Sequence, residues 1–206
     1  MIKRAFIVFA IIIMMVPCLY AQAPAKGIYF YANSGISLPI QPTAFSDYWK
    51  SGANFGFGAG YDLSKYVNFQ GYFEHNTFGF NTDKFKDVAD PYSIGIEVTG
   101  GSFKILTVMA NVKASFIARG NKVVPYFVGG IGLFSMSQDD VEYGFGAISY
   151  TLEGESKSTL ASSLGFGVDV MVTEMVGLFA EFKSAAGAVE LKTDIPDTED
   201  GIVGYV

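Results

Sequence analysis

Three observations together predict an all-β fold: an eight-stranded antiparallel up-and-down transmembrane β-barrel whose last strand is cut short. Apolar and polar residues alternate with a period of two in segment after segment. The connections between segments alternate short and long. The chain also opens on an export signal. The expected organisation is a signal peptide over residues 1–21 and one barrel domain over residues 22–206.

The leader is read first. Lys3 and Arg4 supply the positive end, residues 5–16 form an unbroken apolar run, and Ala21 and Ala23 offer small-residue exits. Cleavage after Ala21 is favoured, because the alternative leaves Pro24 beside the scissile bond. The apolar run is too short for a membrane-spanning helix, which needs about 20 residues. Cys18 is the sole cysteine; Pro17 stands where a lipoprotein signal wants a small residue, so the thiol is expected to leave with the leader. Removing the leader leaves 12 basic against 20 acidic residues, a net charge of −8, which argues against a nucleic-acid partner. Half of all residues are apolar, yet no later run is long enough for a transmembrane helix. The hydrophobicity must be spent in alternation.

Residues 106–117 show it best: Leu106, Val108, Ala110, Val112, Ala114 and Phe116 oppose Thr107, Met109, Asn111, Lys113 and Ser115. A helix would scatter these residues around its circumference, whereas a strand sends them to two faces. Segments 28–38, 54–61, 67–80, 159–172 and 176–184 divide in the same way, into an apolar face and one mixing Gly, Ser, Asn, Tyr and ions. Segment 123–136 has glycines on both faces and its sides stay unassigned. An eighth strand begins at Gly201, and its few residues fall short of the ~9–11 a tilted strand needs to cross the hydrocarbon. That strand is expected to pair at one end of the barrel only, with about ten further residues expected in the gene product to complete a crossing of that length.

Short connections at 62–66, 119–122 and 173–175 alternate with long ones at 39–53, 81–102, 137–158 and about 188–200. Short turns at one rim and long loops at the other characterise a transmembrane barrel. A soluble up-and-down barrel is the competing architecture, but it places large residues inside and charge outside. Here apolar side chains are expected to meet lipid, with small and polar ones filling a narrow lumen. Closure follows because hydrocarbon offers no hydrogen-bond partner to an open strand edge.

These residues resemble the small bacterial outer-membrane β-barrel proteins of the OmpA/OmpX type. The phrases that carry the likeness begin at Lys26 (Lys-Gly-Ile-Tyr-Phe-Tyr), Gly56 (Gly-Phe-Gly-Ala-Gly-Tyr), Pro125 (Pro-Tyr-Phe-Val-Gly-Gly-Ile-Gly) and Val176 (Val-Gly-Leu-Phe-Ala-Glu). The resemblance covers nearly all of residues 22–206. It implies the bacterial outer membrane, short periplasmic turns, long cell-surface loops and insertion by the barrel-assembly machinery. Two departures stand out. A cell-wall anchoring role is not carried over, because no peptidoglycan-binding domain is expected after the barrel, and the sequence ends Gly204-Tyr205-Val206 rather than on the family's terminal aromatic.

The inward faces carry Glu74, Lys113, Asp169, Glu181 and Lys183 on four strands. In a narrow lumen these are expected to pair, since isolated buried ions are costly. They make either a polar plug or the selectivity element of a small pore. His75 and Thr77 share one face, as the His and Ser of lipid A deacylase barrels do, but Thr replaces Ser and no partner acid is placed. The loops at 137–158 and 188–200 are rich in Asp and Glu without EF-hand spacing. No cofactor, metal or catalytic residue is assigned. The leading reading is a non-enzymatic integral outer-membrane protein with a structural or surface-interaction role. It is expected to be monomeric, surrounded by outer-membrane lipid and lipopolysaccharide. A small porin-like channel is the runner-up and a lipid A-modifying enzyme the remote alternative.

Overall fold

The computed structural model describes residues 18–21, 27–89, 95–146, 148–189 and 201–205. The apolar run and most of the leader lie outside them, as do the acidic residues Glu190, Asp194, Asp197, Glu199 and Asp200. Among the described residues thirteen strands form, β1(Cys18–Ala21), β2(Ile28–Ser37), β3(Pro39–Gln41), β4(Gly52–Asp62), β5(Val67–Gly79), β6(Glu97–Gly100), β7(Ser102–Ser115), β8(Val123–Gln138), β9(Val141–Phe145), β10(Ile148–Leu152), β11(Ser156–Met171), β12(Val176–Val189) and β13(Gly201–Tyr205). Two short helices, α1(Thr43–Tyr48) and α2(Thr82–Ala89), sit in the first two long connections. No described helix is long and apolar enough to cross a membrane.

Seven strands form the wall in sequence order, β2-β4-β5-β7-β8-β11-β12, each antiparallel to its neighbours. They run from 10 to 16 residues, enough for a tilted crossing. The expectation was an eighth strand cut short and pairing at one end of the barrel only; β13 is that short strand, and β1 beside it was not expected. Between β12 and β2 stand these two short strands. At the short-turn end β1 pairs with both, through Cys18↔Phe179 and Ala21↔Phe30. At the loop end β13 pairs with β12 from Ala185↔Tyr205 to Val189↔Gly201, and with β3.

Period two sorts the wall as the alternation requires. Val108, Val112, Phe116, Leu160, Leu164, Ile131 and Leu133 are exposed on the outside. Thr107, Asn111, Lys113 and Asp169 are buried inside. The unassigned β8 puts Val124, Tyr126, Val128, Phe134 and Met136 inward, leaving Val123, Phe127, Ile131 and Leu133 outward. Glycine on neighbouring strands makes room for the inward tyrosines. A Cβ at Gly167 would lie 2.5 Å from the Tyr126 hydroxyl, closer than any side chain tolerates.

Toward the loops the pattern reverses. Phe78, Phe103, Ile105, Phe134 and Met136 are fully buried inside, while Thr77, Lys104, Ser135, Ser137, Ser156 and Ser158 point outward. A lumen of small and polar residues is therefore correct for the half near the short turns only. The apolar cluster continues into Phe45 and Trp49 of the first connection and Phe80 and Phe85 of the second. Edge-on aromatic contacts bind them, Phe45 to Phe78 and Phe103 at 5.4 and 5.1 Å and Trp49 to Phe80 at 5.2 Å.

Beyond the rim, β6, β9 and β10 form a second, three-stranded sheet. Its register continues that of the wall. Phe103↔Gln138 between β7 and β8 leads on to Gly100↔Val141 between β6 and β9, and Ser137↔Ser156 leads on to Val141↔Leu152. Three wall strands thus carry on past the barrel mouth as one ribbon.

Candidate functional site

The lumen near the short turns holds the charged side chains, and alternation alone puts them there. Lys113 of β7 meets Asp169 of β11 at 2.8 Å with both side chains almost fully enclosed. These strands are separated by β8, so the pair bridges the lumen side of one intervening strand. The ammonium also lies 3.5 Å from the ring centre of Tyr126, which presents its negative face to the cation. Lys183 of β12 reaches Glu74 of β5 at 3.0 Å, here across the barrel, and lies 4.2 Å from the ring of Tyr72.

Amides complete the coordination of Glu74. Asn33 and Asn76 donate to its two oxygens at 3.2 and 3.3 Å. Asn76 accepts from the Ser37 hydroxyl at 2.6 Å, and Asn54 donates to that serine at 2.7 Å. A buried carboxylate held by one cation and two amides is the arrangement a buried ion needs to be tolerated.

Glu181 departs from its expected part. It forms no salt bridge among the described residues and accepts the Tyr126 hydroxyl at 3.0 Å instead. That tyrosine links it to the Lys113–Asp169 pair.

A third ion pair was not foreseen. Arg119 folds back from the 116–122 turn to pair with Asp62 at the end of β4, and its guanidinium stacks 4.8 Å from the Tyr29 ring. Its backbone N–H donates to the Lys65 carbonyl at 2.8 Å, tying two neighbouring turns. Asp62 lies in the inward register of 54, 56, 58 and 60, so it was open to prediction. Arg119 sits in a turn, where no periodicity points.

His75 and Thr77 do share the outward face, 3.0 Å apart, with the imidazole against Phe55. No described carboxylate hydrogen-bonds the ring. Among the described residues no group of His, Cys, Asp and Glu is arranged to hold a metal ion.

The lumen is therefore stacked in tiers. Arg119–Asp62 lies at the short-turn mouth, Lys113–Asp169 and Glu74–Lys183 follow, and the phenylalanine cluster closes the loop end.

Two solved structures and one family model resemble the chain. Among solved structures, the Neisserial surface protein A superposes with a TM-score of 0.51 at 16% identity, covering 89% of this chain and 94% of that one, a likeness of fold. The translocator domain of the autotransporter NalP from Neisseria meningitidis gives a TM-score of 0.42 at 10% identity over 98% of this chain and 83% of that one. No curated protein sequence matches. The model of the outer membrane protein beta-barrel domain matches residues 9–200, and the chain, an integral outer-membrane protein, belongs to that family.

Proposed function

We propose that this protein is a plugged, non-catalytic barrel with a structural or surface-interaction role, inserted as a monomer among outer-membrane lipid and lipopolysaccharide by the barrel-assembly machinery. One observation carries the reading: the two halves of the lumen are filled by different means. Lumen ion pairs occupy the first half, and Phe78, Phe103, Ile105, Phe134 and Met136 pack the second under Phe45 and Trp49. A solute would have to separate buried ions and then displace a close-packed aromatic cluster. The ion pairs order the lumen rather than select ions.

Planar-bilayer recording tests this. The purified barrel should show no steady single-channel steps. Steady steps that vanish on changing Lys113 or Glu181 would reject the plug and establish the small porin-like channel. Mass spectrometry of lipid A from expressing cells should show it unmodified; a changed acyl pattern lost in Thr77→Ala would establish the lipid A-modifying enzyme instead.

A further inference from the structure

We propose that the Glu181 carboxylate and the Tyr31 ring form a lumen site for a small organic cation, a primary ammonium or a guanidinium. The inference goes beyond the plug, which needs no ligand.

The lumen's own ions set the pattern. Among the described residues, three cations stand in the half near the short turns, and each meets both a carboxylate and a tyrosine ring. Lys113 has Asp169 at 2.8 Å and the centre of the Tyr126 ring at 3.5 Å. Lys183 has Glu74 at 3.0 Å and Tyr72 at 4.2 Å. Arg119 has Asp62 and, at 4.8 Å, Tyr29. The carboxylate supplies opposite charge, and the ring supplies its electron-rich face.

One carboxylate and one tyrosine remain. Asp62, Glu74 and Asp169 balance the three cations, and Glu181 is a fourth carboxylate beside them. One of its oxygens accepts the Tyr126 hydroxyl; the other accepts nothing among the described residues. Tyr31, inward on β2 with Tyr29 6.3 Å away, carries no cation on its ring among the described residues.

The two lie together. Tyr31 packs edge-on at 6.0 Å against Phe179, which precedes Glu181 on the inward face of β12. Of the charged groups around the Tyr31 hydroxyl, Glu181 acts on it most strongly. Lys183, the next inward residue, is committed to Glu74. Glu181 is also open where the other carboxylates are closed: Asp62, Glu74 and Asp169 are buried, while Glu181 is exposed. Water therefore sustains its charge, and a solute can replace that water.

The geometry selects the kind of solute. One carboxylate oxygen is far short of the about six to eight oxygens that Ca²⁺ takes. An ammonium or guanidinium head can donate N–H to that oxygen while lying on the ring. A single positive charge also cancels the single excess negative one.

The test uses the full chain in uncharged maltoside micelles with isotope-labelled tyrosine rings. Butylammonium and its neutral counterpart butanol are titrated in, and the ring signals are followed by NMR. Butylammonium should shift the Tyr31 signals saturably, and butanol should not. Glu181→Gln should weaken binding by about tenfold or more. Tyr31→Leu, read on Tyr126, should weaken it by about fivefold. Tyr126→Phe frees the carboxylate from its hydrogen bond and should bind at least as tightly as wild type. Gel mobility checks that each variant folds, and the butanol comparison needs no variant. Shifts that do not saturate, an equal response to butanol, or undiminished binding by Glu181→Gln would overturn the proposal. So would a loss in Tyr126→Phe as large as that in Glu181→Gln, since the hydrogen bond would then be what matters. Binding is read without conductance, so failure here leaves the plug standing, and channel steps would leave this site standing.

Discussion

The barrel changes character partway along its own strands. On β7, residues 106–114 put Leu106, Val108 and Val112 outside against Thr107, Asn111 and Lys113 inside; three residues earlier Lys104 is outside and Phe103 and Ile105 are inside. The backbone repeat is unbroken across that point, so geometry does not cause the switch. Solvent does. Where lipid surrounds the wall, apolar side chains gain nothing by turning inward, and the lumen is left to polar groups that must satisfy one another. Where water surrounds it, ordinary hydrophobic burial returns and the strands pack a core as a soluble barrel would. One protein thus contains both architectures that its alternation invites one to choose between.

The largest expected difference lies in the membrane half. Lys113→Met leaves Asp169 charged and enclosed, and losing one member of a buried pair costs about 3–5 kcal/mol. Adding Asp169→Leu should restore much of that, because no unpaired charge remains. Urea midpoints for wild type, single and double variants decide it; a double variant weaker than the single would mean that these ions contribute more than mutual neutralisation. Phe134→Ala in the other half should lose roughly 3–5 kcal/mol by transfer and cavity terms, toward the lower figure because flexible Met136 can move into the space. No second substitution that only restores polarity should rescue it.

A paired substitution sharpens where the boundary falls. Val112→Arg, close to the middle of the outward band from Leu106 to Phe116, should cost about 2–4 kcal/mol and lose the compact band on cold SDS gels. Ser135→Arg, also outward but above the band, should cost about 0–1 kcal/mol. Equal losses at the two sites would place Ser135 in the hydrocarbon and undo the division.

The outward face was legible in the sequence because lipid imposes one requirement on every position it touches. The lumen was legible only in part. Lys113, Asp169, Glu74 and Lys183 announced themselves as charges in an apolar chain, but which cation meets which anion depends on strand order and tilt, beyond the reach of a period-two argument. The faces of β8 were hidden by Gly129, Gly130 and Gly132, which are small because Asn111 and Met109 of β7 lie against two of them. The inward phenylalanines near the loops were missed for another reason. An apolar residue in a barrel strand reads as lipid-facing unless one knows that the strand has left the membrane, and the longer β7, β8 and β11 carry that information only in their length. Helix α2 was masked by its place in a long connection, although Phe85 and Val88 are three apart and Asp83 opens the first turn.

The smallest effect tests the water-exposed rim by pH. Asp139 follows the end of β8 and accepts both contacts of the Lys104 ammonium, at 2.7 and 2.9 Å, together with the Ser102 hydroxyl, so it ties the start of β7 to the end of β8. Those hydrogen bonds, Lys104's first, hold its carboxyl below the ordinary value of 3.8. A carboxyl whose value is depressed by folding binds its proton more readily in the unfolded chain, so acid favours unfolding. The stabilisation is complete above the unfolded value of about 4 and drains away as pH falls through the lower folded one. Being half-exposed, the pair is worth roughly 0.2–1 kcal/mol. Urea midpoints of wild type and Lys104→Met, compared from neutral pH downward, should differ by a constant amount until about pH 5 and converge below that. A gap that widens on acidification would mean that Lys104 acts through something other than Asp139.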